Sequence, residues 1–482
     1  MIAPGAAEAD LAAPVERLER PVRVIAGPIL AAFAALGVYA AVELRGLYAD
    51  GSAFLLRMME SGGFFLANPP RRIAHILQQL PVVLAMRLGV THAGLLGWLF
   101  GLAMHLVPLA LVAACYWLSP RGKKAYFLFP LFHYLAGSQA AGFAGIAEAP
   151  MASAYFWFLL FLIVFRRVPP WALALAALPA LSLHEAFLFL GPVLALASAW
   201  RARSERATGT RVIFRALAVW FVLIAAMQIG YIVTVPDSSS RDSFIGVMLG
   251  LGFLIDPSDG FGHGGVNIPA LMGIMAAGAV GLAGRLERRA SVLVASFALL
   301  CAMLVAGTAI SEGFFAPALQ FQARGYGAVL SLPLSALFLL SLRNPAWATL
   351  WTRPAVVSIV LVLALGQLGW QALGTWYWSR YIEDFRAVLS THRGLVSWPE
   401  AVAGLPPDRA RLLWRLSWYW TNPSLSIVLS PDGKVAALVD NPVPVRWQPF
   451  DPADPDELPA GPLIDTGLYR AALAEAKATT SP

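Results

Sequence analysis

The sequence predicts an all-α polytopic membrane bundle of about 11 transmembrane helices, with a small α+β extracytoplasmic appendage at the C-terminus. Of 482 residues, 58% are hydrophobic and only 13% are charged, whereas a soluble domain carries about 25% charged residues. Many apolar residues fall in runs of about 20, the length that a helix needs to cross a bilayer. Basic residues cluster between these runs, as in membrane proteins.

The apolar runs predict a series of membrane spans. These are 22–44, 94–118, 125–141, 149–165, 213–234, 268–284, 290–310, 325–342 and 355–376. The stretch 170–200 is longer than one span and is interrupted near residues 182–185, which predicts two short helices that form a hairpin. Backbone groups at such a break must be paired by protein or reached by water.

The basic clusters predict the orientation of the chain, because cytoplasmic loops are rich in Lys and Arg. Clusters follow the spans that end near residues 118, 165, 200, 284 and 342. Residues 1–21 are therefore predicted to be a cytoplasmic segment, 22–376 the membrane domain and 377–482 the extracytoplasmic appendage. We expect a bacterial inner (plasma) membrane protein. The net charge is +7, but the basic residues lie where they orient a membrane protein, so nucleic-acid binding is not expected.

The appendage is predicted from a change of pattern after residue 376. Two apolar runs, 427–429 and 435–438, flank Pro431, Asp432 and Gly433. An Asp-Gly turn between apolar runs is typical of a β-hairpin.

The first outer loop contains the main catalytic candidate, Asp50, directly after the first span. A carboxylate at the water edge can accept a proton from a substrate hydroxyl. The segment after Asp50 has an amphipathic pattern and is predicted to lie in the membrane interface. A competing interpretation is that Asp50 caps this helix.

The same loop carries an unusual number of arginines for an outer loop, namely Arg45, Arg57, Arg71, Arg72 and Arg87. Arg pairs bidentately with phosphate, so Arg71 and Arg72 are candidates for a lipid-linked phosphate. Anchoring to ordinary anionic headgroups, or a different topology of this loop, are the alternatives.

Ionisable residues near the spans are further candidates, because charges are costly within a bilayer. His75 shares a helix face with Gln79, and Glu148 precedes a span. His184 and Glu185 lie at the break of the hairpin. A competing interpretation is that His75 is an interfacial histidine whose hydrogen bonds are satisfied and which contacts no substrate.

The sequence predicts no metal site and no cofactor, with a divalent cation left open. Asp256, Asp259 and His263 lie in a Gly-rich loop, but their spacing matches no metal motif, and turn chemistry explains them equally well. Cys115 and Cys301 lie in apolar runs and indicate neither a disulfide nor a metal site.

Over about the first 375 residues, the chain resembles the GT-C superfamily of multi-pass glycosyltransferases. The features are Asp50 after the first span, Glu148 in GIAEAP, the broken hairpin with SLHEAF, and Arg324 and Tyr326 in QARGYGAVLSLPLSALFLL. Two departures are that Asp50 is followed by Gly and Ser instead of a second acid, and that a glycine separates Arg324 from Tyr326.

The resemblance implies inverting transfer of a sugar from a polyprenyl-phosphate donor to a glycan or lipid acceptor at the extracytoplasmic face. Asp50 would be the general base, and Arg71, Arg72 and Arg324 would hold the phosphate. Membrane lipids would be the remaining partners. The alternative is a polytopic transporter, or a flippase or ligase of lipid-linked glycans, because buried acids and broken helices are also transporter features.

Overall fold

The computed structural model describes residues 5–143, 148–165, 168–234, 254–256, 265–286, 289–310, 319–320, 323–344, 350–351, 353–418, 420–430, 433–442 and 449–480. It is 79% helical with little sheet, so the fold is all-α. The α-helices are α1 (Gly5–Val42), α2 (Asp50–Ser61), α3 (Arg72–Arg87), α4 (Ala93–Leu118), α5 (Leu128–His133), α6 (Glu148–Phe165), α7 (Pro170–Ala177), α8 (Phe187–Ser204), α9 (Thr208–Thr234), α10 (Ile268–Ala283), α11 (Ala290–Ile310), α12 (Tyr326–Arg343), α13 (Pro354–Thr391), α14 (Trp398–Ala403), α15 (Pro407–Leu416), α16 (Asn422–Leu429) and α17 (Gly467–Thr480).

Seven of the described helices are long and apolar enough to cross a membrane. They are residues Glu19–Val42 of α1, together with α4, α6, α9, α11, α12 and α13. Their outer surface is apolar: Val222 is 55% exposed, Leu299 63% and Met303 61%. A continuous apolar exterior requires lipid in place of water, so the chain is an integral membrane protein.

The predicted span 125–141 is helical but irregular. It consists of a 3₁₀ turn Lys124–Phe127, helix α5, a π-helical turn Tyr134–Ser138 and a second 3₁₀ turn Gln139–Ala141. Polar side chains bond to main-chain carbonyls along it: Nδ2 of Asn267 donates to Ala140 O at 3.0 Å. Nε2 of Gln371 donates to Gln139 O at 3.2 Å. A break at membrane depth is stable because protein groups replace the lost helical partners.

The predicted hairpin at 170–200 is present. Helix α7 continues into a 3₁₀ turn, Leu178–Ser182, before α8 begins at Phe187. Side chains of neighbouring helices donate hydrogen bonds to main-chain carbonyls at the end of α7. Tyr155 Oη of α6 donates to Ala176 O at 2.8 Å, and Trp220 Nε1 of α9 donates to Ala177 O at 3.1 Å. The break therefore lies inside protein, as the backbone requires.

The described strands form two short pairs. Strands β1 (Ile255–Asp256) and β2 (Gly265–Val266) are antiparallel. Strands β3 (Gly394–Val396) and β4 (Ala437–Val439) are parallel.

The predicted hairpin around Asp432 and Gly433 is wrong. Residues 427–429 belong to helix α16, which has Pro423 at its start, and strand β4 pairs with the distant β3. The apolar run 427–429 is compatible with a strand, but Pro423 fixes a helical φ in the first turn of α16. Every residue of α16 is also buried.

Helix α13 continues to Thr391, well past the predicted end of its span at 376. Residues 394–480, which we call the terminal region, then fold back onto α2. Arg57 donates to Pro449 O at 2.8 Å, and Gly461 lies against the main chain of Glu60. Helix α2 is therefore enclosed between α4 and α16, and its position in the membrane interface stays a prediction.

Candidate functional site

Asp50 is the first residue of α2 and follows a strained backbone. Ala49 has φ 52° and ψ −129°, and Leu44 has φ 56°. Such conformations are unfavourable for residues with a Cβ, and they persist only where surrounding structure imposes them, often at functional sites. Ala49 occupies the capping position, so the interpretation of Asp50 as the helix cap does not hold. The strained turn therefore sets the position of Asp50 relative to the end of the first span.

Arg71 lies at the centre of a buried charge cluster. Its Nε contacts both carboxylate oxygens of Glu185, at 2.9 and 3.0 Å. Its NH1 lies 3.6 Å from Oε2 of Glu148. These three residues come from the first loop, the start of α6 and the break in the 170–200 hairpin. One guanidinium thus joins three separate parts of the chain.

His75 extends the cluster one helical turn beyond Arg71. Its Nε2 lies 3.1 Å from Oε1 of Glu148, and the ring of Phe54 packs edge-on against it. The ring is 1% exposed. Gln79, a further turn along, holds the main chain of Phe65 with two bonds of 2.8 Å. His75 and Gln79 lie four residues apart within α3, so they share a helix face as predicted.

Glu185 is ionised by its surroundings. Burial alone would raise the pKa of this carboxyl, but His184 and Arg71 together lower the pKa to about 2. Nδ1 of His184 lies 3.4 Å from Glu185 and accepts a hydrogen bond from the amide of Ala186 at 2.9 Å. Arg71 is thus the permanently charged partner of Glu185, whereas His184 is positive only when its ring is protonated.

Asp50 acts on the same centre. Burial by itself would lower the pKa of Arg71, but the carboxylates of Glu148, Glu185 and Asp50 outweigh burial and raise it. Asp50 is half-buried, whereas Glu148 is almost fully enclosed. Of the acids that act on Arg71, Glu148 is therefore enclosed, whereas Asp50 is partly exposed to solvent.

Six of the predicted site residues belong to this cluster, and the remaining three are Arg72, Tyr326 and Arg324. Arg72 begins α3 with an exposed side chain. Tyr326 begins α12 and packs, half-buried, beside Ala140. The side chain of Arg324 lies outside the described part of the chain, although its 3₁₀ turn packs against α6.

Arg45 is a buried residue whose importance the sequence did not reveal. It is 2% exposed and donates to Gly142 O at 2.9 Å, Gln371 O at 3.1 Å and Thr375 Oγ1 at 2.7 Å. Its guanidinium also lies over the ring of Phe143. The only signal was the excess of arginine in an outer loop.

The described residues contain no group of three His, Cys, Asp or Glu that could hold a metal ion. Of the three residues considered for a cation in the sequence, Asp256 lies in β1. Asp259 and His263 lie outside the described residues.

Fold and cluster define a helical integral membrane protein with an acid, arginine and histidine centre. Comparison with protein-family models, curated proteins and solved structures finds no significant match to this chain. Its function therefore has to be argued from its own geometry.

Proposed function

We propose that the chain crosses the membrane about 11 times, with the charge cluster on the extracytoplasmic side. The two ends of the bundle support this. At one end, Glu19 accepts from Lys124 N, Tyr126 donates to Ser341 O and Arg353 donates to Gly284 O. This end also carries the loops richest in basic residues, which the positive-inside rule assigns to the cytoplasm.

The charge cluster lies at the opposite end of the bundle. Asp50 follows the outgoing α1, Glu148 begins the returning α6, and Glu185 lies where α7 turns back into α8. The N-terminus would then be cytoplasmic and the terminal region extracytoplasmic. A bacterial inner membrane suits such a chain.

We propose that this protein is an inverting glycosyltransferase of the GT-C type, using a sugar carried on a polyprenyl phosphate. The observation that carries the proposal is the ion-paired cluster of Arg71, Glu148 and Glu185 at the proposed outer end of the bundle, with Asp50 near enough to help raise the pKa of Arg71. A donor whose lipid tail lies in the bilayer would bring its sugar to this level without a nucleotide-binding domain.

The reaction requires a base and a cation. Asp50 would accept the proton of the acceptor hydroxyl as its oxygen bonds to the anomeric carbon. The bond from that carbon to the phosphate oxygen breaks, and the polyprenyl phosphate leaves with the electron pair. Arg72 and Arg324 would stabilise that charge, while Arg71, engaged by two glutamates, would orient the acids beside Asp50.

The test is Asp50→Asn, assayed in membrane vesicles with a panel of polyprenyl-phosphate-linked hexoses and pentoses. Loss of the base should lower transfer by about 10²-fold or more, with an unchanged unfolding temperature. The matched control is Asp408→Asn, an exposed acid on α15, which should leave transfer intact. Near-normal transfer by Asp50→Asn would remove the assignment of the base.

A transporter or lipid flippase is the second candidate, because the interrupted span at 124–141 and the buried pair His75–Glu148 are features that transporters share. Sealed vesicles separate the two functions. A transporter moves a labelled lipid-linked glycan across the bilayer with no new glycosidic bond, whereas the proposed enzyme forms that bond. A ligase would transfer a preassembled glycan instead of one sugar.

A further inference from the structure

Arg45 is a buried cation whose hydrogen bonds all go to neutral groups. Among the residues that the structure describes, its acceptors are the carbonyls of Gly142 and Gln371 and the hydroxyl of Thr375. Its Nε atom is buried and has no partner. A buried charge without a counter-charge is costly, even when its hydrogen bonds are made. The positive charge at this position therefore lacks compensation.

A partly open cavity of about 50 Å³ lies beside Arg45. Its apolar wall comes mainly from α1 and α4. Its polar wall is formed by Arg45, His105, Tyr134, Ser138 and Gln139. None of the residues lining it is acidic. Every polar side chain on the wall can donate a hydrogen bond.

A second buried group on this wall is also unsatisfied. Nε2 of His105 has no hydrogen-bond partner in the described part of the chain. By contrast, the buried His133 is hydrogen-bonded to Gly327 and Ser331. Two buried nitrogens without a hydrogen-bond partner, one of them on a cation, thus belong to residues that line this cavity.

We propose that this cavity binds a small monovalent anion of halide size, held by the guanidinium of Arg45 with donors from Ser138 and His105. The anion would supply the missing counter-charge. The donor wall disfavours a metal ion or an ammonium group. The volume suits a monatomic ion or a few waters, because a water needs only about 10–15 Å³ measured in the same way.

The site is separate from the proposed glycosyl transfer. Arg45 contacts neither Glu148 nor Glu185, and the cavity wall includes none of the charge cluster. Halide binding would stabilise the junction of the first loop, the segment 139–143 and α13, which Arg45 already joins.

The test is thermal unfolding of the purified full chain, titrated with chloride or bromide against gluconate at constant ionic strength. A ligand that binds only the folded state raises the unfolding temperature saturably, here by roughly 2–4 °C. Arg45→Gln should abolish the response. Arg57→Gln, which removes a half-exposed arginine paired with Glu60, should keep it.

Bromide diffraction supplies an answer even if Arg45→Gln does not fold. Crystals of the unchanged chain grown in bromide should show an anomalous peak within hydrogen-bonding reach of the Arg45 guanidinium. Absence of that peak, with an unfolding temperature indifferent to halide, overturns the proposal and leaves a cavity filled by water alone. An equal halide response in Arg45→Gln also overturns it.

Discussion

Two buried arginines in the same loop meet opposite surroundings. Arg71 is held by the carboxylates of Glu148 and Glu185, whereas Arg45 is held by carbonyls and a hydroxyl. Burial therefore does not predict the role of a charge. Arg71 joins two carboxylates from separate parts of the chain, whereas Arg45 joins main-chain segments and keeps a positive charge without a carboxylate partner among the described residues.

Removal of each guanidinium should separate the two roles most strongly. Arg71→Gln should lower the free energy of unfolding by about 3–5 kcal/mol, because buried carboxylates lose their cation. Arg45→Gln should cost less, about 1–3 kcal/mol, because only neutral acceptors lose a donor. Unfolding in mixed micelles measures both.

Arg72→Gln is the matched control for this comparison. Its side chain is exposed, so the change should stay within about 0.5 kcal/mol. If Arg45→Gln proved costlier than Arg71→Gln, the distinction between the two arginines would fail.

Acidification should weaken the Arg71 region. The pKa of Glu185 is lowered from 4.5 to about 2 in the folded chain, so its stabilising contribution is complete above about pH 4.5. That contribution is lost as the pH falls toward 2, because the unfolded chain takes up the proton first.

Glu185→Gln isolates this contribution. The difference in unfolding temperature between the unchanged chain and Glu185→Gln should be largest near pH 6 and should shrink by pH 3. A difference that stays constant over this range would show that Arg71 does not hold Glu185 ionised.

Ala49 lies in the chain between Arg45 and Asp50, and therefore between the surroundings of the two arginines. A substitution at Ala49 should have the smallest effect on the free energy of unfolding. At φ 52°, Ala49→Gly relieves strain of about 1–3 kcal/mol but loses a buried methyl and frees the unfolded backbone. The net change in unfolding free energy should be within about 0.5 kcal/mol.

Ala53→Gly provides the comparison, because Ala53 is buried in the regular part of α2. It should cost about 1–2 kcal/mol. Equal costs at the two positions would mean that the turn before Asp50 stores no strain.

Most of the bundle was predictable, because lipid imposes a length and a composition on each span. The hairpin break was predictable for the same reason, since His184 and Glu185 interrupt an apolar run. Asp50, Glu148 and Glu185 were each singled out from the sequence, but the ion pairs of Arg71 with the two glutamates were not. The number of spans and the location of the terminal region stay predictions.

The role of Arg45 was not predictable from the sequence. Two of its three acceptors are main-chain carbonyls, which carry no residue signature, and Thr375 lies 330 positions away. The false hairpin had a related cause: the partner of β4 is β3, far along the chain. Local patterns do not encode distant pairing.

Helix α13 has 38 residues, and at 1.5 Å per residue it is about 57 Å long. The hydrocarbon core of a bilayer is about 30 Å thick. This unbroken helix is therefore longer than the hydrocarbon core is thick, and it continues to the terminal region. Helix α13 therefore sets the distance between the part of the bundle at lipid level and the residues after Thr391 that lead into the terminal region.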